Sequence, residues 1–579
     1  MSADKIDKQK TFFWSHGGPT FMYKTDKDIP GASTPYNSVE KFGEQVKSEF
    51  KPKYIAVISA HWQPRYEGPE SLKKIYVATP KNLDQVTDSN EKIANELIYD
   101  FYNFPKHMYE EKFENYVTKG IIDKIVSFSD DEVTIERRER GIDHGVWVPG
   151  KVAQFDQYEK KEDFIPIVQV SLLPNVPNGK GEDERLNENV KVVETFEAHI
   201  KAISPVVRKI NEDGGLVILS GMSVHNLSIF KKLISENRQP EFTKKFNEFL
   251  KDAIEADKTA GDNHATLKAK ILALGKEDTE EKKKLFEAHS PEIDHFLPFV
   301  IGAGSVGEGE YITELFNAEQ YSLGWGLYQV EIKFNFLVVG SSGLCGGAFI
   351  KYLNKFKAHQ STQSVINSVV RRPYDPAFLK ANEIEDETAI NVIVEKDSTN
   401  WATETFSTVN VSDASFKKIF LSGLGTTKAT AGSIENQRKI DLDLNYELAK
   451  KAKDLGYSTC VLVSSAGASS SSMFPYLKMK GELEDKLTSL GFDNLIILRP
   501  GALLGDRLKD MNGFGSRLAP FICGMAYGTW FSKFLGHPVY GDSVGKVGVE
   551  VAIKLESKNE KNGVTIISSK EIVDMSGKS

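Results

Sequence analysis

Five histidines in the first 300 residues each close a short apolar run or stand beside a glycine or proline turn. They are His16 in FFWSHGGP, His61 in YIAVISAHW, His144 in RGIDHGVWVP, His225 in GLVILSGMSVHNL and His295 in SPEIDHFLP. Imidazole is the commonest metal-ligating side chain. A loop tip anchored by a buried strand is a rigid platform for function, and ligands of open α/β sheets gather beyond the carboxyl ends of the strands. Strand-end positions converge on one edge of a sheet, so the five together predict a metal centre. The other histidines (His107, His199, His264, His289, His359 and His537) lack that context and read as structural.

A second set of residues speaks of a nucleotide. FLVVGSSGLCGGAFIKYL places Gly340, Ser341, Ser342, Gly343, Leu344 and Gly346 between an apolar run and a helical one. Glycines there permit a tight turn and let a pyrophosphate approach the helix amino terminus, where backbone N–H groups favour anions. The next strand, SVINSVVRR, ends in Arg371 and Arg372 rather than an acid. An acid would accept the ribose hydroxyls of NAD, whereas arginine pairs with a 2′-phosphate, so NADP(H) is expected. Farther on, LVSSAGASSSSMFPYLKMKGELE carries Ser464, Ser465, Tyr476 and Lys480. Tyr476 and Lys480, four apart, share a helix face. The ammonium lowers the phenol pKa, so the phenol can exchange a proton with a carbonyl while hydride moves. A serine after the preceding strand, Ser465 or Ser464, would hold that carbonyl, and ILRPGALLGDR (497–507) would line the nicotinamide pocket.

The elements that position these groups alternate between strand and helix. Strands are expected at Thr11 to Ser15, Tyr54 to Ala60, Lys74 to Ala78, Phe164 to Leu172 and Leu216 to Ser220, several as continuous apolar runs. Amphipathic helices are expected at Ser38 to Phe50, Asn90 to Phe101 and Asn187 to Ile210, and a charged, largely solvated helical insertion at Phe242 to His289. The length of 579 residues exceeds one ordinary core. Nine of eleven histidines precede residue 331 and all three cysteines follow it, which divides the chain into domains 1–332 and 333–579. The scattered cysteines make no disulfide framework. No apolar run reaches the roughly 18 residues of a membrane span, and a net charge of −8 argues against nucleic acid as a partner. The polar amino terminus shows no secretory signal, so a cytoplasmic location is expected.

SHGGP, ISAHW, RGIDHGVWVP, VQVSL, SVHNL and SPEIDHFLP stand in the order seen in class III extradiol ring-cleavage dioxygenases, and the first domain resembles their 4,5-DOPA dioxygenase branch. That resemblance implies metal ligation by His16, His61 and His295. It places His225 at the metal, as ligand or acid/base, and makes His144 a proton-handling neighbour. It implies a catechol and O2 as substrates and Fe(II) as the ion, although three histidines equally suit Zn(II). The second domain resembles atypical short-chain dehydrogenases/reductases of a small fungal family with GLGTT and SSAGA blocks, at Gly423 to Thr427 and Ser464 to Ala468. The chain is therefore expected to be an α/β protein joining a dioxygenase to an NADP(H)-binding Rossmann domain. The rival expectation is a zinc-binding scaffold carrying an NADP(H) sensor without turnover.

Overall fold

A computed structural model describes residues 9–24, 33–260, 262–360, 364–384, 386–409, 416–505, 537–557 and 561–577. The chain forms two compact α/β units, the first ending at Glu331 and the second beginning at Ile332.

In the first unit, apolar runs form β1 (Thr11–Ser15), β2 (Tyr54–Ser59), β3 (Lys74–Thr79), β4 (Lys92–Ala94), β5 (Tyr116–Thr118), β6 (Thr134–Glu139) and β7 (Ile167–Val170). They are followed by β8 (Gly215–Gly221), β9 (Val224–Asn226), β10 (His289–Ser290), β11 (Glu310–Gln320) and β12 (Leu323–Ile332). The main sheet runs β10-β9-β12-β1-β8-β2-β7-β3-β6, with β11 on β12 and a parallel centre of β1, β8, β2 and β7. Strands here are buried on both faces, which explains their unbroken apolar character. In β1, Phe13 enters the core on one face, while Phe12 and Trp14 enter the core on the other.

Two expectations are corrected. Residues 90–101 form no helix: Lys92–Ala94 pairs with Tyr116–Thr118, and Asn95 Nδ2 donates to Asn115 Oδ1 and the Ile167 carbonyl at 2.8 and 3.0 Å. Tertiary hydrogen bonds and the packing of Tyr99 and Phe101 on Trp147 override the helical spacing. The stretch 242–289 is helical, in Glu241–Ala260, Ala265–Ala273 and Glu280–Ala288, but it is no solvated appendage. Phe246, Leu250, Ile254, Leu267, Ile271 and Leu285 are buried in the main core.

The second unit contains β13 (Phe334–Val339), β14 (Val365–Val370), β15 (Ile390–Val394), β16 (Lys417–Ser422), β17 (Thr459–Val463), β18 (Asn494–Arg499), β19 (Leu503–Leu504), β20 (Val539–Tyr540) and β21 (Gly563–Ser568). Seven of these make one parallel sheet in the order β15-β14-β13-β16-β17-β18-β21. The chain proceeds one way from β13 through β14 and β15, then returns to β13's other side for β16. That reversal defines a doubly wound fold with its switch point between β13 and β16, where the carboxyl ends of the strands open a crevice.

Candidate functional site

In the first unit the parallel centre delivers three imidazoles to one place. His16 follows β1, His61 lies two residues beyond β2, and His295 sits in a 3-10 turn (Asp294–Phe296) docked on the end of β8. The docking is close: a Cβ on Gly221 would stand 2.3 Å from the His295 carbonyl oxygen, which accepts from Met222 N–H at 3.0 Å. His16 Nε2 and His61 Nε2 are 3.1 Å apart, and the candidate ligand atoms of His16, His61 and His295 all lie within 4.8 Å of one another.

Neighbouring groups fix two of the tautomers. The Ser220 hydroxyl donates to the Gly145 carbonyl at 2.5 Å, so toward His16 Nδ1, at 2.9 Å, it acts as acceptor. His16 therefore carries its proton on Nδ1 and turns a lone pair at Nε2 toward His61. His295 Nδ1 donates to Asp294 Oδ1 at 2.8 Å, leaving its Nε2 as a lone pair as well. Burial first, then the neighbouring imidazoles, push the His16, His61 and His225 pKa values well below the usual imidazole value.

The structure places His225 and His144 at the flanks. His225 stacks on His295 with ring centroids 3.6 Å apart and groups with Asp294 and His295. His144 begins the helix His144–Val152, 4.0 Å from the His61 ring, and its Nδ1 is 2.9 Å from Asp100. No pattern in the residues pointed to Asp100, because it lies in an irregular segment far from any histidine motif.

In the second unit the turn after β13 reaches the switch point. Gly340 has φ +72°, and Gly343 N–H donates to its carbonyl at 3.0 Å before the helix Leu344–Gln360 begins. A Cβ on Gly346 would stand 2.1 Å from the Gly340 oxygen, and one on Gly340 would stand 2.5 Å from the Gly423 carbonyl carbon. The backbones of the two turns thus touch, as the glycine spacing requires. Ser341 is buried and its oxygen accepts from Ser368 at 2.8 Å, whereas Ser342 and Gly343 face solvent and Leu344 is half-buried. Arg371 and Arg372 are exposed just past β14.

Across the crevice, the helix Pro475–Ser489 carries Tyr476, 42% exposed, and Lys480, fully enclosed with Nζ donating to the Val463 carbonyl at 3.3 Å. Burial lowers the Lys480 pKa, against which Asp441, Glu484 and Cys345 act. The two serines differ. Ser464 is buried and its hydroxyl is held by Glu484 at 2.5 Å, while Glu484 also receives Arg499 Nε at 3.1 Å; Ser465 is half-buried. Asp506 and Arg507 of the expected pocket lining lie outside the described residues. Glu484 was missed in the sequence, although an acid four residues beyond Lys480 on the same helix was a readable signal; Asp441, on a different helix, carried none.

Strand order and crevice define the second unit as a doubly wound α/β fold of the dinucleotide-binding type. A family model described as HIM1 matches residues 389–516. "Protein FMP52, mitochondrial" of Kluyveromyces lactis is 42% identical over 241 residues, 42% of this chain and 98% of the relative. Its counterpart in Saccharomyces cerevisiae is 41% identical over 246 residues, 42% of this chain and 96% of the relative. The chain belongs to the FMP52 family. Among solved structures it is similar to the uncharacterized protein JW3007 from Escherichia coli K12, with 20% identity and TM-score 0.35, covering 56% of this chain and 99% of that one. It is also similar to a short-chain dehydrogenase family protein from Francisella tularensis, with 14% identity and TM-score 0.30, covering 41% and 98%.

These findings overturn four expectations. The family model is HIM1 and the relatives are FMP52 proteins, so the assignment as a class III extradiol dioxygenase of the 4,5-DOPA branch gives way, and with it the catechol and O2 as substrates. The enzyme class of aromatic ring opening with Fe(II) falls for the same reason, as does the rival zinc-scaffold reading. The relatives are named mitochondrial, which overturns the cytoplasmic location. The physical lesson is that histidines at strand ends converge in any parallel sheet, and convergence does not specify a reaction. Among the described residues no helix is long and apolar enough to cross a membrane.

Proposed function

We propose that the second unit binds NADP(H) and supports short-chain-reductase-type chemistry, in a protein that acts at mitochondria as its relatives' names indicate. The observation that carries this reading is the contact of two glycine turns at the switch point, which leaves the amino end of the helix Leu344–Gln360 facing the crevice. The residues fit the cofactor. Gly340, Ser341, Ser342, Gly343, Leu344 and Gly346 would form the pyrophosphate turn, and the exposed Arg371 and Arg372 stand just past the second strand, where an acid of that strand would favour NAD. The bound cofactor would supply the hydride. Tyr476, at the solvent side of the crevice, would pass the proton, Lys480 would hold the phenol pKa down by its charge, and Ser465 would orient the carbonyl. Titration of the full chain with NADPH and NADH, followed by nicotinamide fluorescence, tests this. Saturable binding that prefers NADPH supports the reading, and no binding of either refutes it.

For the first unit a separate observation favours a cation. His16 and His295 each keep a lone pair at Nε2, His16 Nε2 stands 3.1 Å from His61 Nε2, and the candidate ligand atoms of all three lie within 4.8 Å of one another. Neutral imidazoles with their Nδ1 protons tied to outer acceptors are the donor set that a divalent transition-metal ion requires. His16, His61 and His295 would hold it, with His225 and His144 as flanking groups; such an ion would supply a Lewis acid. Equilibrium binding of Co(II), read by its visible absorption, tests the site. Loss in His16→Ala and His61→Ala with retention in His107→Ala supports it; equal binding by all four proteins refutes it.

A further inference from the structure

Between the glycine turn and the two arginines runs a line of three buried hydroxyls, those of Ser341, Ser368 and Tyr374. Ser341 follows Gly340 in the turn, Ser368 stands in β14, and Tyr374 comes two residues after Arg372. Ser368 Oγ donates to Ser341 Oγ at 2.8 Å, which commits its one proton. The Tyr374 hydroxyl, 2.6 Å from Ser368 Oγ, must therefore be the donor of that pair. The line is directed from Tyr374 through Ser368 to Ser341, and hydrogen bonds in such a chain polarise and strengthen one another.

The loop that this line reaches has little else to hold it. Among the described residues, no backbone-to-backbone hydrogen bond involves residues 371–374, and Pro373 has no N–H to give. The Tyr374 ring stacks on Phe378 with centroids 4.2 Å apart and planes 14° apart. Asp375 then caps the helix Pro376–Ala381 by accepting from Phe378 N–H at 2.8 Å. Stacking sets the plane of the ring, yet a phenylalanine would stack equally well. A buried hydroxyl is unfavourable unless it is hydrogen-bonded, so the oxygen at 374 is explained by its bond to Ser368 and not by packing. Only three residues separate Tyr374 from the end of β14 at Val370, so both guanidinium groups project from a short span anchored at its two ends. The glycine turn at the far end of the line is set by backbone alone, through Gly343 N–H on the Gly340 carbonyl and the close packing of Gly340 on the Gly423 turn. Cutting the line should release the arginine loop and leave the glycine turn in place.

We propose that Tyr374 is a positioning residue for cofactor choice: its hydroxyl, acting through Ser368, holds Arg371 and Arg372 at a set separation from the pyrophosphate turn, as a ligand carrying both a pyrophosphate and a ribose 2′-phosphate requires. That role rests on the NADP(H) reading of the crevice. Titration of the full chain with NADPH and with NADH tests it, on wild type, Tyr374→Phe, Ser368→Ala and the double variant, with Tm measured beside each. Tyr374→Phe should bind NADPH about three- to tenfold more weakly while NADH changes by less than about twofold, and its Tm should fall by only a few degrees. Ser368→Ala should lose the preference to the same extent, and the double variant should lose no more than either, because both substitutions cut one line. Equal weakening of the two nucleotides would mean a general loosening of the unit and would overturn the role, as would additive losses in the double variant. A wild type that prefers NADPH beside a Tyr374→Phe protein with the same preference would overturn the role of Tyr374 alone. A wild type that binds neither nucleotide would overturn the cofactor reading and this role with it.

Discussion

Replacing Gly346 by alanine is the sharpest test of how the glycine turn is built. The added Cβ would lie 2.1 Å from the Gly340 oxygen and 2.8 Å from Ser341 Cα, well inside ordinary contact. Neither neighbour can yield cheaply, since both are backbone and Gly340 is packed so closely on the Gly423 turn that a Cβ on it would stand 2.5 Å from the Gly423 carbonyl carbon. Overpacking of this kind costs about 1–3 kcal/mol, from which the helix propensity of alanine over glycine returns up to about 1 kcal/mol. The net loss of about 1–2 kcal/mol is small beside the roughly 5–15 kcal/mol stability of a domain, so the unit should fold with a Tm a few degrees lower. The turn, however, must shift by about 1 Å, and misplacement on that scale costs a positioned site on the order of a hundredfold. Gly347→Ala is the matched control. Its Cβ would meet only the tip of the Asn382 side chain, at 2.8 Å from Oδ1, which can rotate away. Scanning fluorimetry and NADPH titration on both variants give the answer. A Gly346→Ala protein that binds and melts like wild type, or a Gly347→Ala protein that is the more damaged of the two, would refute the reasoning.

Other outcomes follow from named contacts. Joint replacement of Arg371 and Arg372 by alanine should weaken NADPH about tenfold or more and leave NADH nearly unchanged, as charge-assisted pairing with a phosphate implies; isothermal titration with both nucleotides checks it. His199 is fully buried, donates Nδ1–H to the Thr195 carbonyl at 2.7 Å, and has its pKa lowered by burial from 6.5 to about 4. The unfolded chain therefore binds this proton more readily. The first unit should lose stability as pH falls from 6.5 toward 4, by about 3 kcal/mol from this group alone, and hydrogen exchange across Val192–Glu212 should show a smaller acid response in His199→Gln. Glu484→Gln strips the buried partner from Arg499 and Ser464, so it should lower Tm more than Glu482→Gln, whose side chain is less enclosed.

Much of the fold was legible because its signals are local. β1, β2 and β8 are apolar runs that could be nothing but buried strands, and the glycine turn at 340–346 announced its crevice through spacing alone. Residues 90–101 misled because helical spacing there is decided by Asn95 and Asn115, partners that sequence order does not bring together. The same limit hid Asp441: it lies in the π segment, where it accepts from Thr426 N–H and Gln437 Nε2, and no residue pattern marks that segment. At the histidines, His16, His61 and His295 do lie close together, but the residue pattern does not name their chemistry. Geometry at strand ends is dictated by the sheet, whereas the reaction depends on what surrounds the cluster.

The most direct measurement is NADPH titration of the full chain beside Lys480→Met and Gly346→Ala, with NADH as the competitor. The account predicts one saturable site per chain that prefers NADPH, weakened in both variants. A wild-type protein that binds neither nucleotide, or binds both equally and indifferently to the two substitutions, would contradict it.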